Sequence, residues 1–251
     1  MSPTVYLVSG TNRGIGLGYV TALAARENVV VFAGARNPSA ATELSELSAK
    51  HPKNVFVVQL DVTSKASAEA AVAAVKDKAG RLDVVISNAG ISDWYGLAHE
   101  APEEEMRKHY EVNLLGPLFL FQSSWALLKA SSSTPKFIIM TTRAGSIGYG
   151  TQLPLNMIPY GTSKAASNFL ARKLHFEYAE GGLIVFPICP GAVLTDLTKY
   201  AMSCEPRIRG APYKPVDETV VQLLSIIDNA TREGEGGQHL GLDTEDGRLP
   251  W

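Results

Sequence analysis

Cysteine is scarce in this chain: there are two in 251 residues, Cys189 and Cys204. Two thiols cannot build a disulfide framework, and their separation is not that of a metal-ligand pair, so no metal site is expected. Cys189 ends an apolar run and reads as a core thiol, whereas Cys204 sits among polar residues and reads as exposed. Long hydrophobic runs are missing too. No stretch reaches the roughly 18 apolar residues that a membrane helix needs, and the sequence enters a strand without a basic leader, so a cytoplasmic protein is expected. Neither sign of charge dominates, with 23 basic residues against 25 acidic ones. No charge field invites nucleic acid or a membrane surface. Repeats, linkers and breaks in composition are also absent, which points to one domain over residues 1–251.

What the sequence does contain is a regular alternation. Short Val/Ile-rich runs, bounded by turn residues, begin near residues 5, 29, 55, 82, 136 and 183, with a brief closing run near 238–242. Between them lie segments of helical composition: an Ala/Leu-rich one ending near Arg26, others at 39–50 and 64–78, a long one at 102–129, then 159–178 and 216–229. Strands alternating with helices predict βαβ units with right-handed crossovers. The fold class expected is therefore α/β, a Rossmann-type doubly wound parallel sheet with helices on both faces.

The turn after the first strand reads Gly10-Thr11-Asn12-Arg13-Gly14-Ile15-Gly16. Glycine lets the backbone turn tightly and approach a pyrophosphate, whose charge the following helix N-terminus then meets. The spacing is G-x-x-x-G-x-G rather than the general G-x-G-x-x-G, but its position before the first helix predicts dinucleotide binding. At the end of the second strand, where a carboxylate would bind the 2′-hydroxyl of NAD, stand Ala35 and Arg36. Arg36, together with Arg13 in the glycine loop, favours the 2′-phosphate of NADP(H).

Tyr160 and Lys164 lie one helical turn apart in Tyr160-Gly161-Thr162-Ser163-Lys164. Residues i and i+4 share a helix face. An ammonium near a phenol stabilises the phenolate, which would bring a pKa of about 10 toward a useful range. The pair is therefore a candidate proton-transfer unit.

Together these features resemble the short-chain dehydrogenase/reductase family over essentially the whole chain. The resemblance rests on the glycine loop, Asp61-Val62, Asn88-Ala89-Gly90, Asn113, Tyr160 with Lys164, and Pro190-Gly191 with Thr195. Within that family the chain is most similar to the C-factor/sniffer-like carbonyl reductases and the fungal norsolorinic acid ketoreductase group, whose Pro-Trp ending Pro250-Trp251 matches. The resemblance implies that Asp61 and Val62 line the adenine pocket, and that Asn88, Ala89 and Gly90 pass under the cofactor. Pro190, Gly191, Val193 and Thr195 would meet the nicotinamide end. Asn113 would hold a water behind Lys164, which also bonds the nicotinamide ribose. The family's usual serine is replaced: Thr142 takes its place in Met140-Thr141-Thr142-Arg143-Ala144-Gly145-Ser146, with Ser146 as the alternative hydroxyl. The interval from Thr142 to Tyr160 is longer than usual, which suggests an enlarged loop over the site.

The activity implied is NADPH-dependent reduction of a small-molecule ketone, with Tyr160 donating the proton. A non-catalytic NADP(H) sensor, or a reductase of another small carbonyl or alcohol, is the alternative. Trp94, Tyr95, Tyr200, Met202 and Tyr213, the last three in a lid over residues 195–215, suggest a bulky apolar or aromatic substrate. Relatives of this kind form dimers or tetramers, so a homodimer or homotetramer is expected, with the apolar 114–128 stretch serving either that interface or burial against the sheet.

Overall fold

The computed structural model describes residues 2–131 and 133–251. Ser132, between the helical segment at 102–129 and the strand that begins near 136, lies outside the described residues. Seven strands form one parallel sheet: β1 (Thr4–Ser9), β2 (Val29–Ala35), β3 (Val55–Gln59), β4 (Val84–Ser87), β5 (Lys136–Met140), β6 (Ile184–Cys189) and β7 (Leu240–Gly241). Their order is β3-β2-β1-β4-β5-β6-β7. β1 pairs with β2 on one side, Val8 beside Ala33, and with β4 on the other, Val8 beside Ile86. The strand order thus reverses between β1 and β4, and ligands bind such sheets in the crevice beyond the carboxyl ends of the strands at that point.

The valine-rich runs become strands because both faces of each are covered, so both sets of alternate residues can be apolar. Tyr6 and Val8 point into one core, with Leu23 of α1 (Gly14–Ala24), Leu44 of α2 (Thr42–Lys50) and Leu223 of α8 (Val216–Asn229). Val5 and Leu7 point into the other, with Val75 of α3 (Lys65–Ala79), Phe121 of α5 (Gly116–Lys129) and Leu174 of α6 (Ile158–Glu177). Helix α3 has clear ends: the Ser64 hydroxyl accepts the Ser67 N–H, and Gly80 closes it at φ +71. Of the apolar residues at 114–128, Leu120, Phe121, Leu127 and Leu128 are buried. Much of that stretch therefore belongs to the core.

The long helix expected at 102–129 is subdivided. α4 (Glu103–Tyr110) runs into a wider π turn, Glu111–Leu115, and then into α5. Pro117 has no N–H to give the Asn113 carbonyl four residues back, and the Gly116 N–H reaches Glu111 instead. The widened turn carries Asn113 on its inner side. The lid segment contains α7 (Asp196–Cys204), capped by the Thr195 hydroxyl, which accepts the Thr198 N–H.

Candidate active site

A cleft of about 1090 Å³ lies across the carboxyl ends of the strands. That is at the upper end of the roughly 300–1,000 Å³ range of drug-sized ligand sites, so the cleft can take a large ligand. One end is built by the glycine loop. The first turn of α1 has no acidic residue, and its N-cap residue, Arg13, offers no side-chain acceptor. Its N–H groups are therefore left to an anion. The loop is closely packed on its inner side: the Asn88 amide donates to the Ser9 and Gly10 carbonyls at 3.0 and 3.2 Å. The Ser9 hydroxyl in turn accepts the N–H groups of Asn88 and Ala89.

Asn12, Arg13, Gly14, Ile15, Arg36, Asp61, Val62, Ala89 and Gly90 line the same end of the cleft. Arg13 reaches Asp196 of the lid at 3.5 Å across an exposed gap. Arg36 is exposed and makes no ion pair among the described residues, so its guanidinium is available to a phosphate. Asp61 accepts the N–H and hydroxyl of Thr63, which fixes the turn after β3. Pro190, Gly191, Val193 and Thr195 line the far wall.

Thr142, Tyr160 and Lys164 meet in this cleft. Thr142 follows β5 in an extended conformation, and its Oγ1 accepts the Ala144 N–H at 3.2 Å. With one lone pair so engaged, the hydroxyl proton is free to donate. Ser146, the alternative hydroxyl, is fully buried, donates to the Pro250 carbonyl at 2.6 Å and accepts the Tyr149 N–H. It is not among the residues that line the cleft, whereas Thr142 is.

Lys164 is 5% exposed, and its ammonium donates to the Met140 carbonyl at 2.8 Å. Burial pulls its pKa down to about 8. Burial also pushes the Tyr160 phenol well above its ordinary value, helped by the neighbouring Cys189 and Tyr95, while the Thr142 hydroxyl acts in the opposite direction. Here the electrostatic expectation from spacing needs correction. The two residues share a helix face, but the Lys164 ammonium is engaged by the Met140 carbonyl, and burial is the largest influence on the Tyr160 phenol. Lys164 supplies a direct check of this burial. Its folded pKa lies below the unfolded value of about 10.4, so the unfolded chain binds more protons between these values and stability rises with pH across that window. Lys164→Met lacks that term, so the stability difference, variant minus wild type, should shrink by on the order of 3 kcal/mol from pH 8 to 10.5. Urea titrations at matched ionic strength that give a constant difference would contradict it.

Asn113 is fully buried: Oδ1 accepts the Ile91 N–H, and Nδ2 donates to the Ile91 carbonyl and the Ser163 hydroxyl, each at 3.0 Å. It ties the loop after β4 to α6 beside Lys164 rather than lining the cleft.

The residues expected around the substrate divide. Tyr95 and Tyr213 line the cleft, as do Leu153, Leu155 and Met157 of the long interval before Tyr160. Trp94 instead packs on Gly96, and the Tyr200 hydroxyl ties the lid to the Asp93 carbonyl at 3.0 Å. Neither these two nor Met202 lines the cleft. Cys189, read from sequence as a core thiol, is 2% exposed and also borders the cleft beside Tyr160. Arg143 and Asp243 line it as well, and no sequence signal singled them out.

The family model for short chain dehydrogenases covers residues 4–205. An oxidoreductase of Schizosaccharomyces pombe is 38% identical, with 92% of this chain and 93% of the relative covered. Norsolorinic acid ketoreductase of Aspergillus parasiticus is 36% identical over 99% of this chain and 91% of its own length. The crystal structure of an NADPH-bound carbonyl reductase from chicken fatty liver superposes with a TM-score of 0.86 at 32% identity, both chains covered in full. The chain belongs to the short-chain dehydrogenase family of oxidoreductases.

Proposed function

We propose that this protein is an NADPH-dependent ketoreductase acting on a bulky apolar or aromatic ketone. The observation that carries the reading is the convergence of Thr142, Tyr160 and Lys164 in one cleft whose other end offers an uncapped helix N-terminus. Arg36 and Arg13 would hold the 2′-phosphate, the first turn of α1 the pyrophosphate, and Gly90, Pro190 and Gly191 would face the nicotinamide. When bound, the reduced nicotinamide supplies a hydride to the carbonyl carbon. The Thr142 hydroxyl orients the carbonyl oxygen, and Tyr160, kept protonated by burial, gives its proton to that oxygen as the alcohol forms. Lys164, protonated at neutral pH, returns a proton toward the phenolate. Asn113 acts as a brace that holds α6 and the Ile91 loop in register.

The relative that reduces norsolorinic acid and the chicken carbonyl reductase support the reaction class, and the apolar wall of Leu153, Leu155, Met157 and Tyr213 supports the substrate class. The test is loss of NADPH absorbance at 340 nm against a panel of aryl ketones, with cofactor binding followed separately. Turnover of aryl ketones above small aliphatic ones is expected. Silence across the panel with NADPH bound would favour the sensor reading instead. No helix among the described residues is long and apolar enough to cross a membrane. The free thiols Cys189 and Cys204 suit a reducing cytoplasm. Phe169 and Phe176 of α6, 72% and 60% exposed, would supply the contact for a homo-oligomer, and light scattering that gave only monomer would remove that assignment.

A further inference from the structure

Asp243 lies beyond the stretch that matches the family model, in the turn after β7, yet it forms part of the cleft wall. Its carboxylate is ion-paired with the Arg143 guanidinium, and the side chains are 24% and 33% exposed. Both groups are partly exposed, and the guanidinium also lies over the Tyr149 ring.

Arg143 follows Thr142 and opens the tight turn Arg143–Gly145. That turn decides where the Thr142 hydroxyl points, because Thr142 caps it through the Ala144 N–H. The turn has three moorings. The Arg143 N–H donates to the Cys189 thiol at 3.3 Å, and the Asn168 amide donates to the Gly145 carbonyl at 3.0 Å. These tie it to β6 and α6. The third is the Arg143 side chain, which pairs with Asp243 and donates to the Tyr149 hydroxyl at 3.4 Å.

Asp243 also rests on the opposite wall. A β-carbon at Gly191 would lie 3.2 Å from both Cγ and Oδ2 of Asp243. One carboxylate thus touches the turn that holds Thr142 and the turn that carries Pro190 and Gly191. Its own position is fixed from several sides. The Leu242 N–H donates to the Cys189 carbonyl at 3.1 Å, and the Leu249 N–H to the His239 carbonyl at 2.7 Å. Further on, the Gly148 N–H donates to the Trp251 oxygen at 2.7 Å.

We infer that Asp243 is a positioning residue for carbonyl reduction: through Arg143 it holds the Thr142 hydroxyl at a set distance from the Pro190–Gly191 wall. The inference rests on Thr142 being the group that orients the carbonyl. A pair that helps fix a polar group beside the substrate bears on turnover, since a misplacement of about 1 Å can cost on the order of 100-fold.

The test compares Asp243→Asn, Asp243→Glu, Arg143→Met, Thr142→Val and the double variant Thr142→Val/Asp243→Asn, on one aryl ketone reduced by the wild type. kcat, KM and the NADPH Kd by fluorescence quenching are measured for each. Asp243→Asn and Arg143→Met should each lower kcat by on the order of 10- to 100-fold, with NADPH Kd within about twofold of wild type. Asp243→Glu should recover part of the loss. Adding Asp243→Asn to Thr142→Val should cost nothing further, because the hydroxyl being aimed is already gone. Multiplying losses in the double variant, or Asp243→Asn turning over at the wild-type rate, would overturn the inference. Should Asp243→Asn fold poorly, Arg143→Met combined with Thr142→Val makes the same comparison from the other partner. Thr142→Val at the wild-type kcat would overturn the role of Thr142 and the inference together. A loss in Thr142→Val that multiplies with Asp243→Asn would leave the role of Thr142 standing and remove only that of Asp243.

Discussion

Tyr160→Phe is expected to lower ketone reduction by on the order of 1,000-fold while NADPH binds within about twofold of wild type, the size of effect that a lost general acid produces. The substitution removes one oxygen and leaves the ring. The packing of the half-buried side chain against the cleft wall is therefore retained, and the fold should not suffer. A second phenol stands close by. Tyr95, which shares a 2.7 Å hydrogen bond with the Ser92 hydroxyl, has its pKa pushed up to about 12 by burial. It is the natural substitute acid, so Tyr95→Phe belongs in the same experiment. Single-turnover decay of NADPH absorbance reads the chemical step directly. Tyr160→Phe within tenfold of wild type, with Tyr95→Phe impaired instead, would transfer the proton-donor role from one phenol to the other.

The parts of this molecule legible in the sequence are those set by local rules. Runs such as Val29–Ala35 need both faces covered, and that requirement by itself implies helices on either side of a parallel sheet. The glycine loop is legible because its position between β1 and α1 leaves it one natural use. Tyr160 and Lys164 are legible as neighbours because helical spacing is fixed. Their protonation is not, since it depends first on burial in the folded chain and then, for Tyr160, on ionisable groups far along the sequence, Cys189 and Tyr95. The choice between Thr142 and Ser146 escaped for the same reason. Both are hydroxyls near the end of β5, and what separates them is the Pro250 carbonyl, about 100 residues away, which takes the Ser146 hydroxyl out of the cleft. Trp94 and Tyr200 look like substrate contacts when only residue type is known. One packs on Gly96 and the other ties the lid to Asp93. Pairings such as Arg143 with Asp243 leave no trace in spacing at all, because a charge on each of two distant loops is the commonest arrangement on any surface.

The three glycines of the loop look equivalent in sequence, but they should not respond alike to substitution. At Gly14 the backbone has φ +56, and a β-carbon would meet nothing nearer than the Thr195 methyl at 3.6 Å. Gly14→Ala therefore meets only the left-handed backbone cost of about 1–2 kcal/mol. At Gly16 the backbone needs no special conformation, but a β-carbon would lie 2.1 Å from the Gly10 carbonyl oxygen and 2.7 Å from the Asn88 amide nitrogen. Neither obstacle can swing aside: one is main chain, and the other is held by the Ser9 and Gly10 carbonyls. Accommodating the methyl means moving the start of α1 away from β1, and with it the N–H groups that await the pyrophosphate. Gly16→Ala should therefore weaken NADPH binding by at least about 100-fold, a cost of roughly 2.8 kcal/mol, and lower the melting temperature. Gly14→Ala should weaken binding by no more than about tenfold. Binding titrations and thermal melts on the two variants decide the matter. Equal losses would mean that conformational freedom, and not the close approach of α1 to the strand, is what the loop requires of glycine.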